Sequence, residues 1–287
     1  MRANNPIIYN KTIERDGHRY VVFTGPECID GSPCFVQIEH SPDCPCRLEG
    51  INVTVVGPGI KGDDRLWADI RALKTAYDGS FPQEEREDYD RMILRLRGEI
   101  KGALFSLYAA VCSDAGVPVG VLFAEHYFRS NSVLMTYCLV APRLRRNGRR
   151  YSGHLLRDGL GTIINAVARE TAGNGPKAVF FESEDPARTT PTALPVYAMD
   201  PASRLQWVKA IGGSRIGIHY IQPQLEANHG PAENLDLYYL PADGAGIPTM
   251  ETVTLFIDDY FDILAKSSHI APKTIQGYKE IMFGGHE

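Results

Sequence analysis

Two groups of residues in this sequence combine side-chain type and spacing in a way that could do chemistry. The first is the basic, glycine-containing turn Arg143-Leu144-Arg145-Arg146-Asn147-Gly148-Arg149-Arg150. It follows an apolar strand, Val133 to Val140, closed by Pro142, and it leads into a helix carrying Leu155, Leu156, Leu160, Ile163 and Ile164. The first amides of a helix have no intrahelical partner and point outward with the positive end of the dipole, so such a turn can hold a pyrophosphate while arginines add charge. The second group is Glu182 and Glu184, two apart at the end of an apolar run and hence on one face of a strand. Two carboxylates that close repel when both are ionised, so one should hold its proton more tightly and serve as a base near neutrality. Glu125, on an earlier strand, is the alternative base.

Those residues need elements to position them. Three- and four-residue spacing of leucine and isoleucine after the turn gives one apolar stripe for packing on a sheet. Ala103 to Cys112 and Pro118 to Phe128 read as strands joined to each other and to the central strand by short turns at 114–116 and 129–131, an antiparallel meander. After the helix, Ala172 to Pro176 breaks the chain, and Ala178 to Ser183 reads as a buried strand that a right-handed crossover lays parallel to the central one. A helix over Ala202 to Ile211, stopped by Gly212-Gly213, and strands over Ser214 to Gln222 and Asn234 to Leu240 follow. Ahead of the meander, Leu66, Ile70, Leu73 and Tyr77 share a face of a helix over 64–77, and Phe81 to Arg86 opens a second. Short strands at 6–9, 20–24, 35–39 and 51–56, separated by Gly, Pro, Asp and Ser turns, make a β-rich start. An amphipathic helix over 250–266 and another over 272–282 close the chain.

Val140-Ala141-Pro142, the basic turn and Leu155-Leu156 together resemble the acetyl-CoA motif of the GCN5-related N-acetyltransferase (GNAT) superfamily, and Phe81-Pro82-Gln83-Glu84-Glu85-Arg86 is similar to an element that walls the acceptor site in many members. The resemblance covers residues 53 to 241. It implies an α/β fold with a mixed, mostly antiparallel sheet whose parallel strands splay apart around the pantetheine arm, with the thioester near the ends of Leu139 and Ser183 and an oxyanion-binding amide near Leu139 or Val140. Aligning the leucine pairs puts the pyrophosphate turn on Asn147, Gly148, Arg149, Arg150, Tyr151 and Ser152; aligning Arg145 and Gly148 instead adds two residues before the helix. Arg145, Arg146 and Arg150 supply charge under either alignment. The tyrosine that protonates the departing thiolate in related enzymes has Trp207 and Val208 in its neighbourhood here, with Tyr197 and Tyr220 as substitutes. The resemblance directs the face of Glu182 and Glu184 toward the acceptor.

Composition sets the outer limits. At 287 residues and 44% hydrophobic, the chain can bury a full core. A net charge of -5 argues against a nucleic-acid binder. No signal-peptide h-region or 18-residue apolar window is found, so a cytoplasmic location without a membrane is expected. Cys28, Cys34, Cys44 and Cys46, with His40 among them, lack the paired C-x2-C knuckles of structural zinc sites, so unpaired thiols and no metal are expected; Cys112 and Cys138 read as core thiols. The expected organisation is an N-terminal extension over 1–52, an acetyltransferase domain over 53–248 and a helical extension over 249–287, which packs in cis or mediates a homodimer. The function expected is acetyl transfer from acetyl-CoA to a primary amine by direct attack. The competing expectation is a degenerate module of the same fold that binds an acyl-CoA or a protein without turnover.

Overall fold

The computed structural model describes residues 8–15, 18–24, 34–39, 51–81, 83–100, 104–141, 148–189, 199–225, 230–240, 247–267 and 269–284, with backbone alone for the first three of these segments and at 84, 148–150 and 267. The chain divides into two compact units, Met1–Ile51 and Asn52–Glu287. In the first, β1 (Ile8–Arg15), β2 (His18–Thr24) and β3 (Cys34–Glu39) form an antiparallel sheet in that order. β1 runs well past the expected Tyr9, because Thr12 pairs with Val21 and Ile13 with Tyr20 although the sequence there is mostly polar.

The fourth expected N-terminal strand belongs elsewhere. β4 (Ile51–Val56) is the edge of a seven-stranded sheet ordered β4-β5-β6-β7-β8-β10-β9, with β5 (Phe105–Asp114), β6 (Val117–Tyr127), β7 (Ser132–Val140), β8 (Ala178–Glu184), β9 (Ser214–Arg215) and β10 (Leu235–Leu240). β5, β6 and β7 form the expected meander, and β7 and β8 are the expected parallel pair. β10 runs antiparallel to β8, and β9 to β10. The mixed, mostly antiparallel α/β sheet is therefore as expected.

Of the expected strand over 214–222, Ser214 and Arg215 pair with β10 and Ile216 N–H donates to the Leu237 carbonyl at 2.8 Å. The rest alternates because Ile218 N–H donates to the Ile216 carbonyl and Tyr220 N–H to that of Ile218. Successive three-residue turns have the same period of two as a strand, so Ile218 and Tyr220 are buried like Ile216 although the bonds to β10 stop at Ile216.

On one face lie α1 (Asp64–Ala72), α2 (Lys74–Asp78) and α3 (Tyr89–Leu96). The expected single helix over 64–77 breaks at Leu73. The expected second helix is a 3-10 turn at Gln83–Glu85, and α3 starts where the Asp88 carboxylate accepts from Arg91 N–H at 2.8 Å. Tyr137 of β7 pins the connection between them: its hydroxyl donates to the Glu85 carbonyl at 3.0 Å and accepts from Glu87 N–H at 3.0 Å. α7 (Met250–Ser267) covers the same face through Phe256, stacked on Phe180 with centroids 4.3 Å apart, and α8 (Pro272–Phe283) follows.

The opposite face holds α4 (Gly148–His154), a π-helical turn Leu155–Leu160 and α5 (Gly161–Glu170) in one run, and α6 (Pro201–Ala210) begins at an Asp200 cap. Gly159, in the π turn, lies against β5 so closely that a Cβ there would meet the Ala110 Cβ at 2.6 Å. Neither atom is the end of a flexible chain, so helix or strand must move. Gly159→Ala should therefore lower stability by about 1–3 kcal/mol, the usual range for overpacking, as measured by chemical denaturation; an unchanged midpoint would contradict this close packing.

Candidate active site

The ladder between β7 and β8 is short. It runs from Ser132 opposite Ala178 to Met135 opposite Phe181 and stops, so Thr136–Val140 and Glu182–Glu184 have no partners in each other. At the same point β7 bulges against β6: the register steps from Phe123 opposite Tyr137 to Ala124 opposite Met135, leaving Thr136 as the extra residue. Its hydroxyl is buried with no hydrogen-bond partner among the described residues.

A cavity of about 130 Å³ opens beside this fork on the face covered by α3 and α7, and Thr136, Glu125 and Glu182 all line it. Glu182 is held by two donors: the Tyr220 hydroxyl donates to Oε1, and Gln222 Nε2 donates to Oε2 at 2.7 Å. Burial pushes the Glu182 carboxyl up to about 7, against the opposing effect of hydrogen bonds from Tyr220, Gln222 and Tyr260. Glu125, on β6, accepts from the Tyr127 hydroxyl and lies 3.6 Å from Arg95 Nη1, which is 3.0 Å from Glu87 Oε2. Burial, reinforced by the nearby Glu87, pushes Glu125 up to about 8. One guanidinium thus serves two carboxylates.

Glu184 behaves differently from expectation. It is buried and ion-paired to Arg204 Nη1 at 2.6 Å, and it does not line the cavity. Burial raises its carboxyl while Arg204 opposes that, and Glu184 is not among the groups that shift Glu182. The raised carboxyl expected from mutual repulsion therefore arises from burial instead, because α6 supplies a cation to one member of the pair.

Tyr220 is buried, and burial drives its phenol well above its ordinary value. Val208 is fully buried, and Tyr197 lies outside the described residues. Leu139 is buried and faces Val121 on β6; Val140 is half-buried opposite Gly120. Arg145, Arg146 and Asn147 lie outside the described residues, while Gly148, Arg149 and Arg150 open α4. Tyr151 is buried, its hydroxyl donating to Asp114 Oδ2 at 2.7 Å, and Ser152 is half-buried. Burial pushes the Cys138 thiol up to about 12, which disfavours a thiolate nucleophile. Cys28, Cys44, Cys46 and His40 lie outside the described residues; among those described, no three His, Cys, Asp or Glu side chains cluster as metal ligands, and no helix is long and apolar enough to cross a membrane.

Sequence reasoning missed Thr136, Gln222 and Tyr260. Tyr260 falls on the apolar stripe of α7, where an aromatic signals packing alone. Glu125-x-Tyr127 carried a usable signal, since a period of two puts both on one face.

No family model and no curated protein matches the chain. Many solved structures are similar to it, among them ones described as GNAT-family acetyltransferases. One is a GNAT-family protein from Bacteroides thetaiotaomicron, 14% identical, TM-score 0.43, covering 75% of this chain and 94% of its own. Another is a spermidine N-acetyltransferase from Vibrio cholerae in complex with CoA and spermine, 11% identical, TM-score 0.38, with coverage of 67% and 95%. A third is an aminoglycoside 6'-N-acetyltransferase complexed with coenzyme A, 13% identical, TM-score 0.39, with coverage of 69% and 98%.

Proposed function

We propose that the protein is an acetyl-CoA-dependent N-acetyltransferase acting on a primary amine, with residues 53–248 as its catalytic domain. The observation that carries this is the fork between β7 and β8 opening beside a cavity that contains a proton-accepting carboxylate, Glu182. Acetyl-CoA supplies the activated acetyl group. The fork, with the Thr136 hydroxyl, which has no partner among the described residues, at its root, fits a slender polar arm better than it fits a packed strand pair. Arg145, Arg146, Arg149 and Arg150, with Asn147, Gly148, Tyr151 and Ser152, are the residues proposed to hold the pyrophosphate.

Glu182 takes the proton from the attacking amine as its nitrogen bonds to the acetyl carbon and the carbon–sulfur bond breaks. Thr136, or an amide near Leu139 or Val140, stabilises the developing oxyanion. Glu125 is the alternative base. Tyr220 is the phenol proposed to return a proton to the thiolate, once its hydroxyl has left Glu182. Glu184, tied to Arg204, orients the end of β8.

The buried Val208 where related enzymes carry a tyrosine favours a second reading, a module that binds acyl-CoA without turnover. A thiol-release assay with acetyl-CoA and a panel of amines separates the two. Turnover supports the enzyme; thermal stabilisation by CoA with no free thiol supports the module. In either case Arg145, Arg146 and Arg150 changed together to alanine should weaken CoA binding by about tenfold or more at low salt and flatten its salt dependence. Unchanged affinity by calorimetry would reduce these arginines to surface charge.

A further inference from the structure

α7 lies outside the sheet, yet it reaches into the cavity through Tyr260, Ile263 and Leu264. Tyr260 is buried, stacked on Phe256 at 5.8 Å and edge-on to Tyr127 at 5.8 Å. Its hydroxyl accepts from Gln222 Nε2 at 3.2 Å, and the same Nε2 donates to Glu182 Oε2 at 2.7 Å. An amide nitrogen has two hydrogens; here one goes to the carboxylate and the other to the phenol, which fixes the amide plane and leaves Tyr220 to satisfy the other carboxylate oxygen.

Resting on the acetyltransferase reading above, we propose that Tyr260 and Gln222 are positioning residues for the base: the C-terminal helix orients Glu182 through the Gln222 amide and so forms part of the active site. The remaining charged groups around the cavity do not replace this contact. Glu87, Arg95 and Glu125 form their own cluster, Arg204 is engaged with Glu184, and Glu85, Asp88 and Arg91 line other parts of the wall.

The test uses Tyr260→Phe in the full chain, which keeps the ring and its stacking and removes only the hydroxyl. The expected result is a melting temperature within a few degrees of the parent and an acidic limb of kcat/KM displaced upward by roughly half a pH unit or more, because a contact favouring the ionised carboxylate is lost. KM for acetyl-CoA should not change. Gln222→Leu should displace the limb further, whereas Ile257→Val, which alters the packing of a buried α7 side chain that does not line the cavity, should lower stability and leave the limb in place. A readout independent of turnover is the carbon-13 titration of the Glu182 carboxyl, assigned by its loss in Glu182→Gln. An unmoved titration in Tyr260→Phe and Gln222→Leu overturns the proposal even if the enzyme is active. A displaced titration in a protein that acetylates no amine upholds the contact and overturns the acetyltransferase reading instead.

Discussion

Glu182→Gln should lower kcat/KM for amine acetylation by on the order of a hundredfold or more while leaving CoA affinity intact. The amide keeps the shape of the carboxylate and can still meet Tyr220, but it cannot accept the amine's proton. Only the ionised form of Glu182 is a base, and its carboxyl is pushed up to about 7, so activity should climb as pH rises through that value and the variant should lose this limb. Glu184→Gln is the contrasting variant. It leaves Arg204 without its carboxylate, so its effect should fall on stability, and the limb should stay where it was. A Glu182→Gln enzyme with near-native rates and an unchanged profile would move the base to Glu125.

The second large effect concerns stability, and its sign runs against the usual carboxylate. Glu125 is raised from 4.5 to about 8 in the folded protein, so the fold favours the protonated form. Its contribution is fully present below the unfolded value of about 4.5 and is lost as pH rises through about 8. Glu125→Gln removes the titration while keeping an acceptor for Tyr127 and leaving Arg95 to Glu87. The variant should match the parent near pH 5 and be several degrees more stable near pH 8.5, with urea midpoints measured across the range. A difference between the two proteins that does not change with pH would show that Glu125 holds no extra proton. Stability gained by disarming a buried carboxylate is the signature expected of a functional site rather than a structural one.

The meander, the parallel pair and α7 were legible in the sequence because each rests on a periodic pattern that a single face of a sheet or helix enforces. Residues 216–222 read as a strand because consecutive tight turns share a strand's period, and the break in the first helix at Leu73 leaves the apolar spacing of Leu66, Ile70 and Tyr77 almost unchanged. Glu182 and Glu125 could be nominated from strand position alone. Their environments could not, since the cation that neutralises Glu184 comes from α6 and the amide that orients Glu182 comes from the irregular segment after β9. The Thr136 bulge left no trace, because an extra residue in one strand is a property of the pairing and not of the strand's own letters.

The four paired residues between β7 and β8 also have a mechanical meaning. The seven strands amount to two half-sheets, β4 to β7 and β8 with β10 and β9, stitched along one short seam. Glu125 belongs to one half and Glu182 to the other. α7 spans the seam, stacking Phe256 on Phe180 of β8 while presenting Phe256 and Tyr260 edge-on to Tyr127 of β6. The distance between the two carboxylates is therefore set by a strap as much as by a ladder, and loosening α7 would let the jaws of the site open while each half-sheet stayed intact.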